Sequence, residues 1–153
     1  MRFPRVRGAN LERREFALPG DFEGELNLTL IAFRREQQDD IDTWAATARE
    51  LPRRYPSLRS YELPVISRLL PFGRQWLDSA MRAGIPDRAA REATITLYID
   101  KGAFRRALEL PTEETIYALL VTRDGRVLWR AEGRWSEEKG QALERALERG
   151  MSW

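Results

Sequence analysis

The chain has no cysteine and no histidine. Without cysteine there is no disulfide, no thiolate nucleophile and no thiolate-bound zinc or iron–sulfur cluster. Without histidine, imidazole metal ligands, His-based triads and the commonest general base are excluded as well. Chemistry has only Asp, Glu, Lys, Tyr, Ser and Thr to rest on, and the sequence assigns no catalytic residue, no metal-ligand set and no cofactor. Long apolar runs are also missing: none approaches the roughly 20 residues that a membrane-spanning helix needs. The opening stretch "MRFPRVRGANLERREF" has no apolar centre for a signal peptide and is too acidic for a transit peptide. A soluble cytoplasmic protein is therefore expected.

Lysine is scarce, with Lys101 and Lys139 alone, so the basic charge is carried by arginine. Acids and bases interleave, as in "LERREF" and "ALERALERG", and the net charge is only +2. A nucleic-acid binder concentrates its basic residues on one face or tail. The expected surface is ion-paired and solvated, with no nucleic-acid partner.

At 153 residues, one domain is expected over 1–153, with an arm or hairpin over 1–26 and the core over 27–153. "LPGDFEG" and "RAGIPDRAAR" read as turns within it. "NLTLIAF" (27–33) suits a strand buried on both faces. In "DDIDTWAATARELPRRYP", Ile41, Trp44, Ala45, Ala48 and Leu51 share one helical face, with Asp39 or Asp40 as N-cap and Pro52 as the stop. A second strand is expected over 57–66. A helix should follow over 67–84, its apolar face built from Leu69, Leu70, Trp76, Leu77, Ala80 and Met81. "ATITLYID" (93–100) reads as a third strand and "GAFRRALEL" as a short helix. "TIYALLVT" and "RVLWRAEG" flank "RDG" as a hairpin. The last helix starts at Ser136 and turns Ala142, Leu143, Ala146 and Leu147 inward. The order β-α-β-α-β-α-β-β-α favours a mainly parallel sheet with helices on both faces and an antiparallel terminal hairpin.

This order resembles the thioredoxin-like superfamily, particularly its peroxiredoxin-like branch. The resemblance begins at "FPRVRGANLERREFALPGDFEGELNLTLIAF". There a Pro-x-Val-x-Gly arm leads to a Phe-x-Leu strand, the turn Asp21-Phe22-Glu23-Gly24 and a core strand from Leu28 to Phe33. It resumes at "YIDKGAFRRALEL" and ends with "LLVTRDGRVLWRAEG" and an amphipathic helix. It implies an α/β fold: a three-layer sandwich with a central mixed sheet, helices on both faces and a C-terminal β-hairpin plus helix. In that family a cysteine follows the first core strand and opens the next helix. Here Arg34, Arg35, Glu36, Gln37, Gln38, Asp39 and Asp40 hold that place, and none can exchange a disulfide or attack a peroxide. The family's cis-proline place, just before the hairpin, is held by Thr115 and Ile116, and Pro111 lies too early. Thiol peroxidase and disulfide oxidoreductase activities are therefore not carried over. "AFRREQQDDIDTW", "YELPVI" and the hairpin region are similar, more loosely, to the mitochondrial ATP synthase assembly factors. These are thioredoxin-like chaperones of a membrane-embedded subunit, so a subunit of a membrane complex is the partner which that resemblance implies.

Six residues are candidates for binding a ligand or partner: Arg34, Arg35, Gln37, Gln38, Glu62 and Trp135. Arg34 and Arg35 end a strand, where open α/β sheets bind ligands, and Gln37 and Gln38 add amide donors. An ion-paired rim with Glu36 and Glu62 is the plainer reading of the arginines. Asp39, Asp40 and Asp42 read as helix-start acids rather than a metal site. Glu62 is either a lone acid/base or a structural partner of an arginine. Trp44 and Trp76 read as core, whereas Trp135 and Trp153 suit a partner-binding patch or a homodimer contact. Two functions follow. One is a redox-inactive binding or assembly module acting on a protein; the other is an anionic-ligand or non-thiol enzyme site at the 34–40 loop.

Overall fold

The computed structural model describes residues 1–67 and 87–150. The helix expected over 67–84, with Trp76, lies almost wholly outside the described residues, as does Trp153. The strands are β1 (Val6–Asn10), β2 (Glu15–Leu18), β3 (Leu26–Ala32), β4 (Leu58–Ser67), β5 (Ile95–Ile99), β6 (Tyr117–Thr122) and β7 (Val127–Glu132). The helices are α1 (Gln38–Asp42), α2 (Ala45–Arg54), α3 (Arg88–Glu92), α4 (Lys101–Leu108) and α5 (Glu137–Gly150).

Among the described residues these strands make one mixed sheet in the order β2-β1-β5-β4-β3-β6-β7. β3, β4 and β5 run parallel, while the pairings β3–β6 and β6–β7 on one side and β5–β1 and β1–β2 on the other are antiparallel. Every residue of β3 and β6 is buried, so both strands are mostly apolar on either face, and the polar Asn27 and Thr29 of β3 are taken up by bonds to the carbonyls of Gly24, Val121 and Leu119. Strand alternation divides the core between the two faces. One cluster joins Ile31, Phe33, Tyr61, Leu63, Val65, Tyr117 and Leu119 to Phe104 and Leu108 of α4. The other joins Leu28, Leu30, Ala118 and Leu120 to Ile41 of α1, Trp44, Leu51 of α2 and Leu143 and Leu147 of α5. Helices thus cover both faces, as the alternating order implied.

The terminal hairpin turns at Gly125, whose φ of 91° is open to glycine at little cost. Ser136 starts α5 as expected, its Oγ accepting the Lys139 N–H at 3.2 Å. The N-terminal arm contains a β1–β2 hairpin, which pairs with β5. Other expectations give way. Residues 88–92, expected as part of a turn, form α3, capped by Asp87 through the Ala89 N–H at 3.0 Å.

The single helix expected from Asp39 to Leu51 is two helices. At the break the Thr43 and Trp44 amides bond three residues back, to Asp40 and Ile41, instead of four. Thr43 Oγ1 also donates to the Asp40 carbonyl at 2.6 Å, an alternative partner of the kind that loosens a helix. Neither Asp39 nor Asp40 caps α1; Gln37 occupies that position, and its side chain makes no bond to the helix's free N–H groups. Pro52 does not end α2 either. It removes one bond to the partly exposed Ala48 carbonyl, and the helix runs on to Arg54, where the Tyr55 N–H still reaches Leu51.

Candidate functional site

The candidate site is the segment from Phe33 to Trp44, at the C-terminal end of β3. Phe33 is buried against Phe104 and Tyr117, so the chain leaves the core at Arg34. A short 3-10 turn, Arg35–Gln37, follows. Gln37 holds this turn from within. Its Oε1 accepts the Phe33 N–H at 2.8 Å and the Arg34 N–H at 3.1 Å, and its Nε2 donates to the Glu113 carbonyl at 2.6 Å. Lys101 closes the other side, Nζ donating to the Phe33 carbonyl at 2.8 Å and lying 3.5 Å from the Glu113 carboxylate. Arg105 approaches the same carboxylate at 3.7 Å. Backbone groups that would face a ligand at a strand end are therefore satisfied by the protein itself.

The six candidates meet different fates here. Gln37, expected to present its amide outward, is 5% exposed and its amide bonds run inward. Arg34 and Arg35 are exposed, and neither guanidinium is within ion-pairing distance of a carboxylate among the described residues. The expected ion-paired rim with Glu36 and Glu62 does not form.

Gln38 and Glu62 do come together. Glu62 lies opposite Leu30 in the β3–β4 register, and alternation turns it away from Tyr61 and Leu63, toward α1. Gln38 donates to its carboxylate and also, through Nε2, to Asp42 Oδ1 at 3.0 Å. Burial pushes the Glu62 carboxyl above the usual glutamate range, and the charge of Asp42 adds to this; the Gln38 bond opposes both. The expected arginine partner of Glu62 is absent among the described residues. The result is a partly buried carboxyl that keeps its proton to higher pH than a solvated one.

Asp40 pairs with Arg134 at 2.8 Å, and among the described residues no group of acidic side chains is placed to hold a metal ion. That ion pair joins the segment to residues 133–136 after β7. Trp44 is fully buried and its Nε1 donates to the Gly133 carbonyl at 3.1 Å. The Trp135 N–H donates to Thr43 Oγ1 at 2.9 Å, while its indole stays 38% exposed. Lys101, Glu113 and Gly133 were missed by sequence reasoning. The one available signal was that Lys101 is one of two lysines in an arginine-rich chain.

No family model matches the chain, and no curated protein sequence matches it. Its shape is shared by solved structures. The copper-bound ScoI of Arabidopsis thaliana is similar with a TM-score of 0.65 at 9% identity, covering 97% of this chain and 99% of that one. The exposed lipoprotein thioredoxin Etrx1 of Streptococcus pneumoniae gives 0.62 at 10% identity, over 95% and 99%. A thiol-disulfide oxidoreductase of Bacteroides fragilis gives 0.57 at 10% identity, over 95% and 98%. At such identities the likeness establishes the fold. The chain has a thioredoxin-like α/β fold and contains no cysteine. No helix among the described residues is long and apolar enough to cross a membrane.

Proposed function

We propose that this chain is a redox-inactive thioredoxin-like module that binds a protein partner as an assembly or chaperone factor. The observation that carries this reading is the lock on the vacated loop. Gln37 and Lys101 tie down the strand end, no thiol stands there, and Arg34 and Arg35 are exposed without ion-pair partners among the described residues. A held loop of this kind suits recognition, because little backbone ordering remains to oppose docking. The opening arm fits a peroxiredoxin-like ancestry with its thiol lost. The looser likeness to ATP synthase assembly factors suggests a subunit of a membrane complex as the client.

Copper, named in the ScoI structure, is not transferred. With neither thiolate nor imidazole, this chain lacks the donors that favour copper, apart from its three methionines.

Crosslinking affinity purification from the native host, on soluble and membrane fractions, tests the proposal. One reproducible protein crosslinked to the 34–40 rim or its surroundings is the expected result. Recovery of nothing above background in either fraction overturns it.

The unpaired arginines favour a second reading, an anionic small-molecule site at the 34–40 loop. It predicts thermal stabilisation by a carboxylate or phosphate metabolite, about 2.7 kcal/mol at 100 times the dissociation constant. The double variant Arg34→Ala, Arg35→Ala must abolish that shift, or this reading fails.

A further inference from the structure

A cleft of about 360 Å³ lies between α2 and α5, on the outer side of the helices that cover the β3 face. Trp135 forms one wall. Its backbone is fixed by the bond to Thr43, and the preceding residue by the Arg134–Asp40 ion pair and the Lys139 bond to the Arg134 carbonyl at 2.8 Å. The indole lies against α5 at Gly140, where an added Cβ would sit 3.0–3.2 Å from three ring atoms. Glycine there lets the ring rest on helix backbone, so one side of the indole is supported while the residue remains 38% exposed. The indole Nε1–H has no acceptor among the described residues, unlike the backbone N–H bonded to Thr43.

Three glutamates, Glu50, Glu137 and Glu144, line the same cleft against one arginine, Arg54, and that arginine is already paired with Glu144. Glu50 and Glu137 have no ion-pair partner among the described residues. Glu137 is accounted for by its place in the first turn of α5, where acids suit the helix dipole. Glu50, in the middle of α2, has no such explanation. In a chain whose net charge is positive, this cleft is locally acidic beside a held aromatic ring. A guanidinium or ammonium group gains from both, through the ring face and through the carboxylates.

We infer that the Trp135 cleft between α2 and α5 docks an arginine- or lysine-bearing segment of a partner protein. This rests on the protein-binding reading above and gives it a site away from the 34–40 rim. Trp135 acts as the aromatic anchor, and Glu50 and Glu137 select positive charge.

The test uses the full chain labelled with ¹⁵N and a short acetylated Gly-Arg-Gly-Arg-Gly amide, with its Gln-for-Arg counterpart as control. The Trp135 indole N–H signal, assigned through Trp135→Phe, should shift saturably with the arginine peptide at low salt. The glutamine peptide should leave it in place, and Glu50→Gln with Glu137→Gln should weaken the arginine peptide at least fivefold. An unmoved Trp135 signal overturns the inference, as does an equal response to both peptides. Sedimentation that shows a concentration-dependent dimer dissolved by Trp135→Ala also overturns it, because the occupant is then a second copy. If the crosslinked partner is recovered equally well by Trp135→Ala, the cleft is wrong while the protein-binding function stands.

Discussion

Gln37 Nε2 and the carbonyl oxygen of Glu113 lie 2.6 Å apart, joining the turn after β3 to the segment before β6 across 76 residues of sequence. The same side chain accepts two backbone N–H groups from its own turn. One buried amide thus sets the shape of the loop that follows β3.

Replacing Gln37 by Ala leaves two backbone donors and one carbonyl without this partner. Each buried polar group so abandoned costs about 1–3 kcal/mol, reduced where water reaches it. A net loss of about 2 kcal/mol is expected, read as a lower urea midpoint with an unchanged slope. Gln37→Glu should lose a comparable amount, because a carboxylate keeps the acceptor but cannot donate to Glu113. Wild-type midpoints for both variants would refute the lock.

Glu62 gives a pH signature of definite sign. Its folded pKa is raised, by burial first and then by Asp42, so between the unfolded and folded values the native state holds more protons than the unfolded chain. Stability from this group is fully present below the unfolded pKa and declines as pH rises through the folded one. Glu62→Gln removes the titration and keeps an acceptor for Gln38. The variant should match wild type in the acid range and exceed it at neutral pH. Urea midpoints measured from pH 4 to pH 8 check this, and a constant difference across that range would contradict it.

Arg34, Arg35 and Lys101 separate exposed charge from structural charge. Arg34→Ala with Arg35→Ala removes two solvated groups that have no ion-pair partner among the described residues, so stability should change by no more than about 0.5 kcal/mol. Lys101→Met keeps much of the side chain's volume but removes a charged donor to the Phe33 carbonyl, at an expected cost of about 1.5–3 kcal/mol. Thermal melts of both variants test the contrast. A loss for the arginine pair as large as that for Lys101→Met would mean that the rim is structural.

What the sequence revealed follows the range of the interactions involved. β3 and β6 were legible because strands buried on both faces are built mostly of apolar residues, and Ser136 because a cap acts within one helical turn. Gln37 and Gln38 show the limit. They are adjacent and chemically identical, yet one turns inward to Glu113 and the other reaches Glu62 and Asp42. No local pattern distinguishes them, since Glu113 and Glu62 come from segments far away in the sequence. The break at Thr43 was hidden for the same reason: Trp44 has its indole bonded to Gly133, 89 residues away, and helical periodicity alone continues smoothly through it. Exposed Trp135 was legible as a misfit, an aromatic residue that no strand or helix pattern turned inward.

Gly8 shows how the opening arm becomes part of the sheet. It sits in β1 opposite Phe16, and its missing side chain lets the hairpin lie close to β5. A Cβ added there would stand 2.6 Å from both Leu97 Cδ2 and the Thr96 carbonyl oxygen, and 2.9 Å from Ile95 Cγ2. Leu97 can shift a little, but the carbonyl belongs to the neighbouring strand and cannot retreat without opening the sheet. Gly8→Ala is expected to cost about 1–3 kcal/mol, the range for overpacking. The loss should be concentrated where β1 meets β5, at the Ala9–Thr96 and Asn10–Ile95 pairs. Hydrogen exchange should therefore show faster amide exchange in β1 and β5, with β3 and β6 exchanging nearly as before. Uniform acceleration through all strands would mean that the hairpin is integral to the core, and unchanged exchange would mean that the close approach does not exist.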